Sequence, residues 1–354
     1  MNRVIALVTI LFAGHNFHFI EDLIDKFSAE GHRVLFDKWT GHNNHNLEES
    51  FEKLGQANII ICEWALGNAV WYSKHVNKFQ KLYIRFHRQE IETDFPSHLN
   101  LDSIQKIVFV SPLFLSEACR KFDIPEAKTM FIPNYVDAQK YNITKTQSSQ
   151  FNLGMIGIVP KMKRFDLALD LLKRLRKIDS RYNLRIKGKL PEDYPWMINR
   201  EKEMQWYKNQ FSRLEEDKLL STAVQFDGWG NDVPQWFNNI GYILSVSDFE
   251  AMHLAVAEGA SSGTVPVILN WPGAKAMYPS SWCHHDLDSM TNSILEFSSK
   301  NAKRKKFAKI IKKRYDLPRV YGVWSKLIGT KPTMYSTISR FISRKKRSNQ
   351  EWSR

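Results

Sequence analysis

Apolar runs of strand length alternate along this chain with longer segments whose apolar residues recur at helical spacing. In the first part, Arg3–Ala13, Arg33–Phe36, Ile59–Cys62, Leu82–Phe86, Ile107–Ser111 and Thr129–Ile132 are apolar runs rich in Val, Ile and Phe. Such runs predict parallel strands covered on both faces, because a strand with one wet face would alternate apolar and polar residues. Between them, Ile20–Glu30 and Leu113–Phe122 carry the three-to-four-residue period of helices. The alternation predicts a doubly wound α/β domain. A polar stretch, Ala138–Gln150, interrupts it. Phe151–Gly157 then restarts the pattern, followed by a helix bearing Phe165, Leu169, Leu172 and Leu175 on one face. Further strands are expected at Leu184–Lys187, Val224–Phe226, Tyr242–Val246 and Val265–Leu269. The reading is two Rossmann-like domains in tandem, residues 1–147 and 148–320, and then a crossing helix and basic tail over 321–354. The candidate crossing is Tyr321–Ile328, which holds Trp324. Paired α/β domains bind ligands in the cleft between them, at the carboxyl ends of their strands.

Composition narrows the class. A hydrophobic content of 43% with 13% aromatics excludes a disordered chain, and 354 residues suffice for two domains. No apolar stretch reaches the roughly 18–20 residues of a membrane-spanning helix. Val4–Ala13 comes nearest; with only Arg3 ahead of it and Gly14 behind, it reads as a buried first strand and not an export signal. Cys62, Cys119 and Cys283 have no metal-ligand spacing and suggest reduced thiols in a cytoplasmic protein. The net charge of +14 is uneven: residues 301–354 hold 17 Lys and Arg against Asp316 and Glu351, so the rest of the chain is close to neutral. A neutral body with no recognition motif argues against nucleic acid as partner. In the basic end, residues 303–354, Tyr335, Ile338, Phe341 and Ile342 fall on one helical face beside Arg340, Arg344, Lys345, Lys346 and Arg347. Two readings stay open there: an anionic membrane surface at the inner membrane face, or a solvated tail.

The chemistry concentrates after Tyr242. A strand is expected to end near Ser247, a short loop to carry Glu250, and a helix to run from about Met252 until Gly263 stops it, with Glu258 about two turns in. A helix start offers free N–H groups and a positive dipole, so a phosphate over Met252, His253 and Leu254 would be stabilised. Two carboxylates flanking that point suit sugar hydroxyls, since each accepts several O–H bonds.

Glu250-x7-Glu258 followed by Ala-Ser-Ser-Gly-Thr-Val-Pro-Val resembles the acidic block of the family-four retaining glycosyltransferases of GT-B fold. Phe131-Ile132-Pro133-Asn134-Tyr135-Val136-Asp137, Gly157-Ile158-Val159-Pro160-Lys161-Met162-Lys163-Arg164-Phe165-Asp166 and Phe226-Asp227-Gly228 resemble three further elements of that family, in its order. Four motifs in order carry more weight than any one alone. The resemblance covers residues 105–290 well and the first hundred only in layout. It implies that Lys163 neutralises the donor diphosphate, that Glu258 holds the nucleotide ribose and that Glu250 contacts the transferred sugar. It further implies that His87 contacts the sugar or acceptor side, that backbone at Gly14 approaches the phosphates, and that backbone near Gly188 meets the base. Where the family has Arg, this chain has Ile158; Lys161 and Arg164 are the candidates to supply the second cation. The implied reaction moves a sugar from a nucleoside-diphosphate sugar to a saccharide or lipid-linked acceptor hydroxyl with retention, in cell-surface polysaccharide or glycolipid synthesis. No metal and no cofactor is implied. A basic-tailed nucleic-acid-binding protein and a GT-B-fold phosphorylase or epimerase are the alternatives.

Overall fold

In the computed structural model, which describes residues 7–299 and 305–330, each half of the chain folds around a six-stranded parallel sheet. The first sheet comprises β1 (Thr9–Gly14), β2 (Arg33–Lys38), β3 (Ile59–Glu63), β4 (Lys81–Phe86), β5 (Ile104–Phe109) and β6 (Thr129–Phe131), in the order β2-β1-β3-β4-β5-β6. The second comprises β7 (Asn152–Ile156), β8 (Asn183–Lys187), β9 (Val224–Phe226), β10 (Tyr242–Ser245), β11 (Val265–Leu269) and β12 (Cys283–His284), in the order β12-β11-β10-β7-β8-β9. Helices of the first half are α1 (Glu21–Ala29), α2 (Leu47–Gln56), α3 (Gly67–His75) and α4 (Pro112–Phe122). Those of the second are α5 (Phe165–Arg176), α6 (Glu201–Glu216), α7 (Val233–Trp236), α8 (Leu254–Ser261), α9 (Ala274–Met277), α10 (Leu287–Ser299) and α11 (Lys305–Tyr315), with α12 (Leu317–Ile328) closing the described chain.

The continuous apolar runs have the expected cause: every residue of β3 and of β10 is buried. Helix α5 buries Phe165, Leu169, Leu172 and Leu175 completely, and these belong to one core with Leu153, Leu184, Tyr242 and Val267. Among the described residues the first strand runs Thr9–Gly14; the Arg3–Ala6 part of the expected run lies outside them. The two-residue β12 was not foreseen, because so short a strand carries no pattern.

Strand order reverses between β1 and β3 in the first sheet and between β7 and β10 in the second. At such switch points the loops at the carboxyl ends diverge and leave room for a ligand. Of the expected site residues, Gly14 ends β1, whereas Glu250 follows β10 and Lys163 follows β7.

Apart from Ser111–Leu113, which group with the second unit, the chain divides between Pro133 and Asn134 and again between Asp316 and Leu317, where 147/148 and 320/321 were expected. The polar segment that suggested a linker is fastened to the second unit. Val136 donates its N–H to the Tyr315 carbonyl at 2.8 Å, and Lys145 Nζ donates to the Phe237 carbonyl at 2.6 Å, Ser262 Oγ at 2.9 Å and Thr264 Oγ1 at 2.6 Å. Helix α12 belongs to the first unit: Tyr321 packs on Phe27 with centroids 4.9 Å apart, and the Tyr83 hydroxyl donates to the Leu327 carbonyl at 3.1 Å. The apolar face Tyr335–Ile342 and its neighbouring basic residues lie outside the described residues.

Candidate active site

Three glycines line the carboxyl ends of neighbouring strands in the second unit. Gly157, Gly188 and Gly228 have φ of 74°, 134° and 67°, conformations that other residues rarely adopt. Gly157 donates to the Lys187 carbonyl at 2.8 Å and Gly188 to the Gly228 carbonyl at 2.9 Å, so the turns are tied edge to edge. A Cβ on Gly188 would stand 3.3 Å from the Gly157 nitrogen, while Cβ atoms on Gly157 and Gly228 would meet nothing within 4 Å. The row therefore offers bare backbone beside the switch point.

Lys163 ends a short 3-10 turn after β7 and reaches across to the loop after β10. Its Nζ donates to Glu250 Oε1 at 2.5 Å, and the Ser247 hydroxyl donates to the same oxygen at 2.8 Å. Burial opposes charge on Glu250, but His253 and Lys163, with the Ser247 hydrogen bond, hold its carboxyl down at about 2. Burial, reinforced by Lys163 and opposed by Glu250, takes His253 down to about 4, so this side chain is neutral at pH 7. At that pH Lys163 and Ser247 are thus the groups that keep Glu250 charged.

The helix begins two residues later than expected, at Leu254 with His253 as its N-cap, which puts Glu258 little more than one turn in. The N–H groups of Met252, His253, Leu254 and Ala255 have no protein partner among the described residues, so the expected donors are free and Ala255 adds one more. Met252 itself is buried. Glu258 is half-buried; burial raises its pKa, opposed by a hydrogen bond from Tyr141 and by the charge of Lys140. A dehydrated carboxylate with one neutral donor is poised to accept further hydroxyls.

The two candidates for the second cation differ in how they are held. Arg164 chelates Asp166 through Nε at 3.0 Å and Nη2 at 2.9 Å, and its Nη1 reaches Asp248 at 2.9 Å. Its charge is matched by two carboxylates. Lys161 Nζ lies 5.3 Å from the Trp206 ring centre, while its backbone N–H donates to Glu203 at 2.6 Å. Ile158 is fully buried, and its carbonyl accepts from the Tyr207 hydroxyl at 2.7 Å; its side chain supplies no cation. A buried cation that sequence reading missed is Lys187, at the end of β8, with Nζ 2.8 Å from Asp232 and 3.3 Å from the Asp227 carbonyl.

In the first unit, the end of β1 and β3 carries a buried charge network. Glu63 is wholly inaccessible; Arg85 Nη1 lies 2.6 Å from both of its oxygens, and His87 Nε2 lies 3.0 Å from Oε1. Burial works against charge on Glu63, but Arg85 and His87 outweigh it and lower its pKa. His87 packs against Trp64 with centroids 4.1 Å apart, and its backbone N–H donates to buried Glu90 at 3.0 Å. Gly14 has a local cause: a Cβ there would stand 2.6 Å from the Glu63 carbonyl oxygen. Strand packing alone requires this glycine. Glu63, Arg85, Glu90 and Trp64 were all missed. The one available signal was a charged residue ending an otherwise apolar run, as in Ile59-Ile60-Ile61-Cys62-Glu63.

Among the described residues no group of three or more His, Cys, Asp and Glu side chains could hold a metal ion, and no helix is long and apolar enough to cross a membrane. No family model matches the chain, and no curated protein matches it. Solved structures do. TarM is 16% identical with a TM-score of 0.59 over 77% of this chain and 55% of that one, so this chain spans about half the length of TarM. A glycosyltransferase from Rickettsia africae ESF-5 is 14% identical over 91% of this chain and 99% of that one, with a TM-score of 0.69. Alr3699/HepE from Anabaena, solved with UDP and glucose, is 14% identical over the same shares with a TM-score of 0.65. At these identities the likeness speaks for architecture: the two Rossmann-like units have the GT-B fold.

Proposed function

We propose that the chain transfers a glycosyl group, of hexose type, from a nucleoside-diphosphate sugar to an acceptor hydroxyl with retention of configuration. The observation that carries this reading is the Lys163–Glu250 pair beside the start of α8, at the switch point between β7 and β10. In this reading Lys163 and the free N–H groups of α8 take the charge of the departing diphosphate, in place of a divalent cation. Glu258 accepts the ribose hydroxyls and Glu250 accepts a hydroxyl of the sugar. The glycine row at Gly188 meets the base. The second unit is the donor side and the first the acceptor side, with His87 facing the sugar or its acceptor. The GT-B neighbours solved with UDP make UDP-sugars the first donors to test.

The acceptor proposed is a saccharide or lipid-linked saccharide of a cell-surface polysaccharide or glycolipid, met at the cytoplasmic face of a membrane. The support is the charge of residues 303–354, whose basic excess would be drawn to anionic lipid.

Incubation of the full chain with a panel of UDP-, GDP- and ADP-sugars, followed by NMR of the products, tests the reaction. A new glycoside with the donor's anomeric configuration is expected. A free sugar phosphate would identify a phosphorylase, an epimerised donor an epimerase, and no turnover of any donor would end the proposal.

A further inference from the structure

The second unit contains a short hydrogen-bond relay, apart from the acidic pair, that ends on His253. Trp271 Nε1 donates to Ser245 Oγ at 3.0 Å, and Ser245 Oγ lies 2.7 Å from His253 Nδ1. All three side chains are buried, Ser245 completely. We propose that Trp271 and Ser245 hold His253 in the tautomer with its proton on Nε2, so that the imidazole is a fixed hydrogen-bond donor to the diphosphate of the bound nucleotide. The inference rests on the donor site proposed above.

The tautomer follows from what each group can do. An indole N–H only donates, so Ser245 Oγ must accept from Trp271. The Ser245 hydroxyl hydrogen then has one acceptor within reach, the lone pair of His253 Nδ1. If Nδ1 carried the proton instead, two N–H groups would converge on one oxygen and a buried hydroxyl hydrogen would have no acceptor, an arrangement folded proteins avoid. Glu250 Oε1 does not compete for Nδ1, since it stands 3.9 Å away, beyond hydrogen-bonding range. The Tyr278 hydroxyl donates to the His253 carbonyl at 2.9 Å and fixes the backbone from the other side.

The opposite ring atom is left for a ligand. His253 is only 6% exposed, yet Nε2 has no protein partner and is not among the buried atoms that lack one, so it opens on solvent. His253 is also the N-cap of α8, next to the unpartnered N–H groups of Leu254 and Ala255. An imidazole N–H and two backbone N–H groups, all neutral, are therefore grouped at a helix start whose dipole favours an anion. Lys163 stands on the other side of Glu250 and supplies formal charge. Such a donor set answers the loss of the family's arginine at buried Ile158: Lys163 is joined by an oriented neutral donor and not by a second cation. Burial and Lys163 keep the imidazole uncharged at neutral pH, so it donates without gaining or losing a proton.

Nitrogen NMR of the full chain labelled at histidine tests this without reference to turnover, the His253 signals being identified by their loss in His253→Gln. The expected wild-type pattern has Nδ1 bare and Nε2 protonated, with the Nε2–H signal moving on addition of UDP or of inorganic pyrophosphate. Ser245→Ala and Trp271→Phe should each blend the two nitrogen signals toward a tautomer mixture, which a purely structural role for these residues would not do. UDP affinity should fall about tenfold in His253→Asn, whose amide lies near the Nδ1 position, and stay within about threefold of wild type in His253→Gln, whose amide lies near Nε2. A protonated Nδ1 in the wild type, or an Nε2–H signal unmoved by both ligands, overturns the inference. Glycosyl transfer measured on the same sample reports separately on the proposed function.

Discussion

Replacing Glu250 by Gln keeps the shape of the side chain between Lys163 and Ser247 but removes the charge that both were arranged around. The carboxyl is held at about 2 against an ordinary 4.5, and its side chain is 14% exposed. That gap corresponds to at most about 3 kcal/mol, and because His253 is neutral at pH 7 only the share owed to Lys163 and Ser247 acts there. The sign follows from a depressed folded-state value. The contribution is fully present above the unfolded value near 4.5 and is lost as pH falls through about 2. Glu250→Gln also leaves the Lys163 ammonium, itself 21% exposed, without its counter-charge. For a unit of this size 1 kcal/mol shifts the melting temperature by roughly 2–4 °C, so a loss of several degrees, at most about 6–12 °C, is expected at pH 7. Scanning calorimetry of wild type and variant from pH 7 down to pH 3 should show the gap narrowing below about pH 4.5, where the unfolded carboxyl takes up a proton that folded Glu250, held at about 2, does not yet bind. A gap that is absent at pH 7, or one that does not narrow toward pH 3, refutes the reasoning.

Other outcomes follow from the same geometry. Lys163→Ala should lower turnover roughly a hundredfold with a smaller loss of donor affinity, because its charge counts most as charge builds on the leaving phosphate; steady-state kinetics separates the two. Glu63→Gln removes the buried carboxylate that Arg85 and His87 both contact and should destabilise the first unit by about 3–5 kcal/mol, read by denaturant unfolding. Gly188→Ala forces a side chain to φ 134° and should cost about 1–3 kcal/mol in the same assay. Truncation after Gly329 should abolish flotation with anionic vesicles; unchanged flotation would dispose of the membrane role.

The fold was legible because both sheets are parallel and covered on both faces. Ile59–Cys62 and Tyr242–Val246 read as continuous apolar runs for that reason, and their spacing by helical segments defined the layers. Lys163 and Glu250, singled out from two local motifs, do meet in the structure. What stayed hidden depends on strand register. Glu63 and Arg85 are 22 residues apart and meet because β3 and β4 pair them directly. Ser245 and Trp271 are 26 residues apart and meet because Ser245 on β10 sits opposite Ile268 on β11, just before the turn that holds the indole. The commitment of Arg164 to Asp166 and Asp248 depends on a left-handed backbone at Arg164, φ 57°, which composition does not announce. The polar segment 138–150 misled for a related reason: Lys145 is polar because it donates three hydrogen bonds into the second unit, not because it is a solvated linker.

The central claim, that this site binds a nucleotide sugar with Glu258 on the ribose and Glu250 on the sugar, is tested most directly by calorimetric titration of UDP-sugar and of UDP into Glu258→Gln and Glu250→Gln. Charged hydrogen bonds to the ribose are worth roughly 1.5–3 kcal/mol each, so Glu258→Gln should weaken both ligands about ten- to a hundredfold. Glu250→Gln should weaken the UDP-sugar and leave UDP almost unaffected. If Glu258→Gln binds UDP as tightly as wild type, Glu258 is an ordinary helix residue and the donor does not lie here.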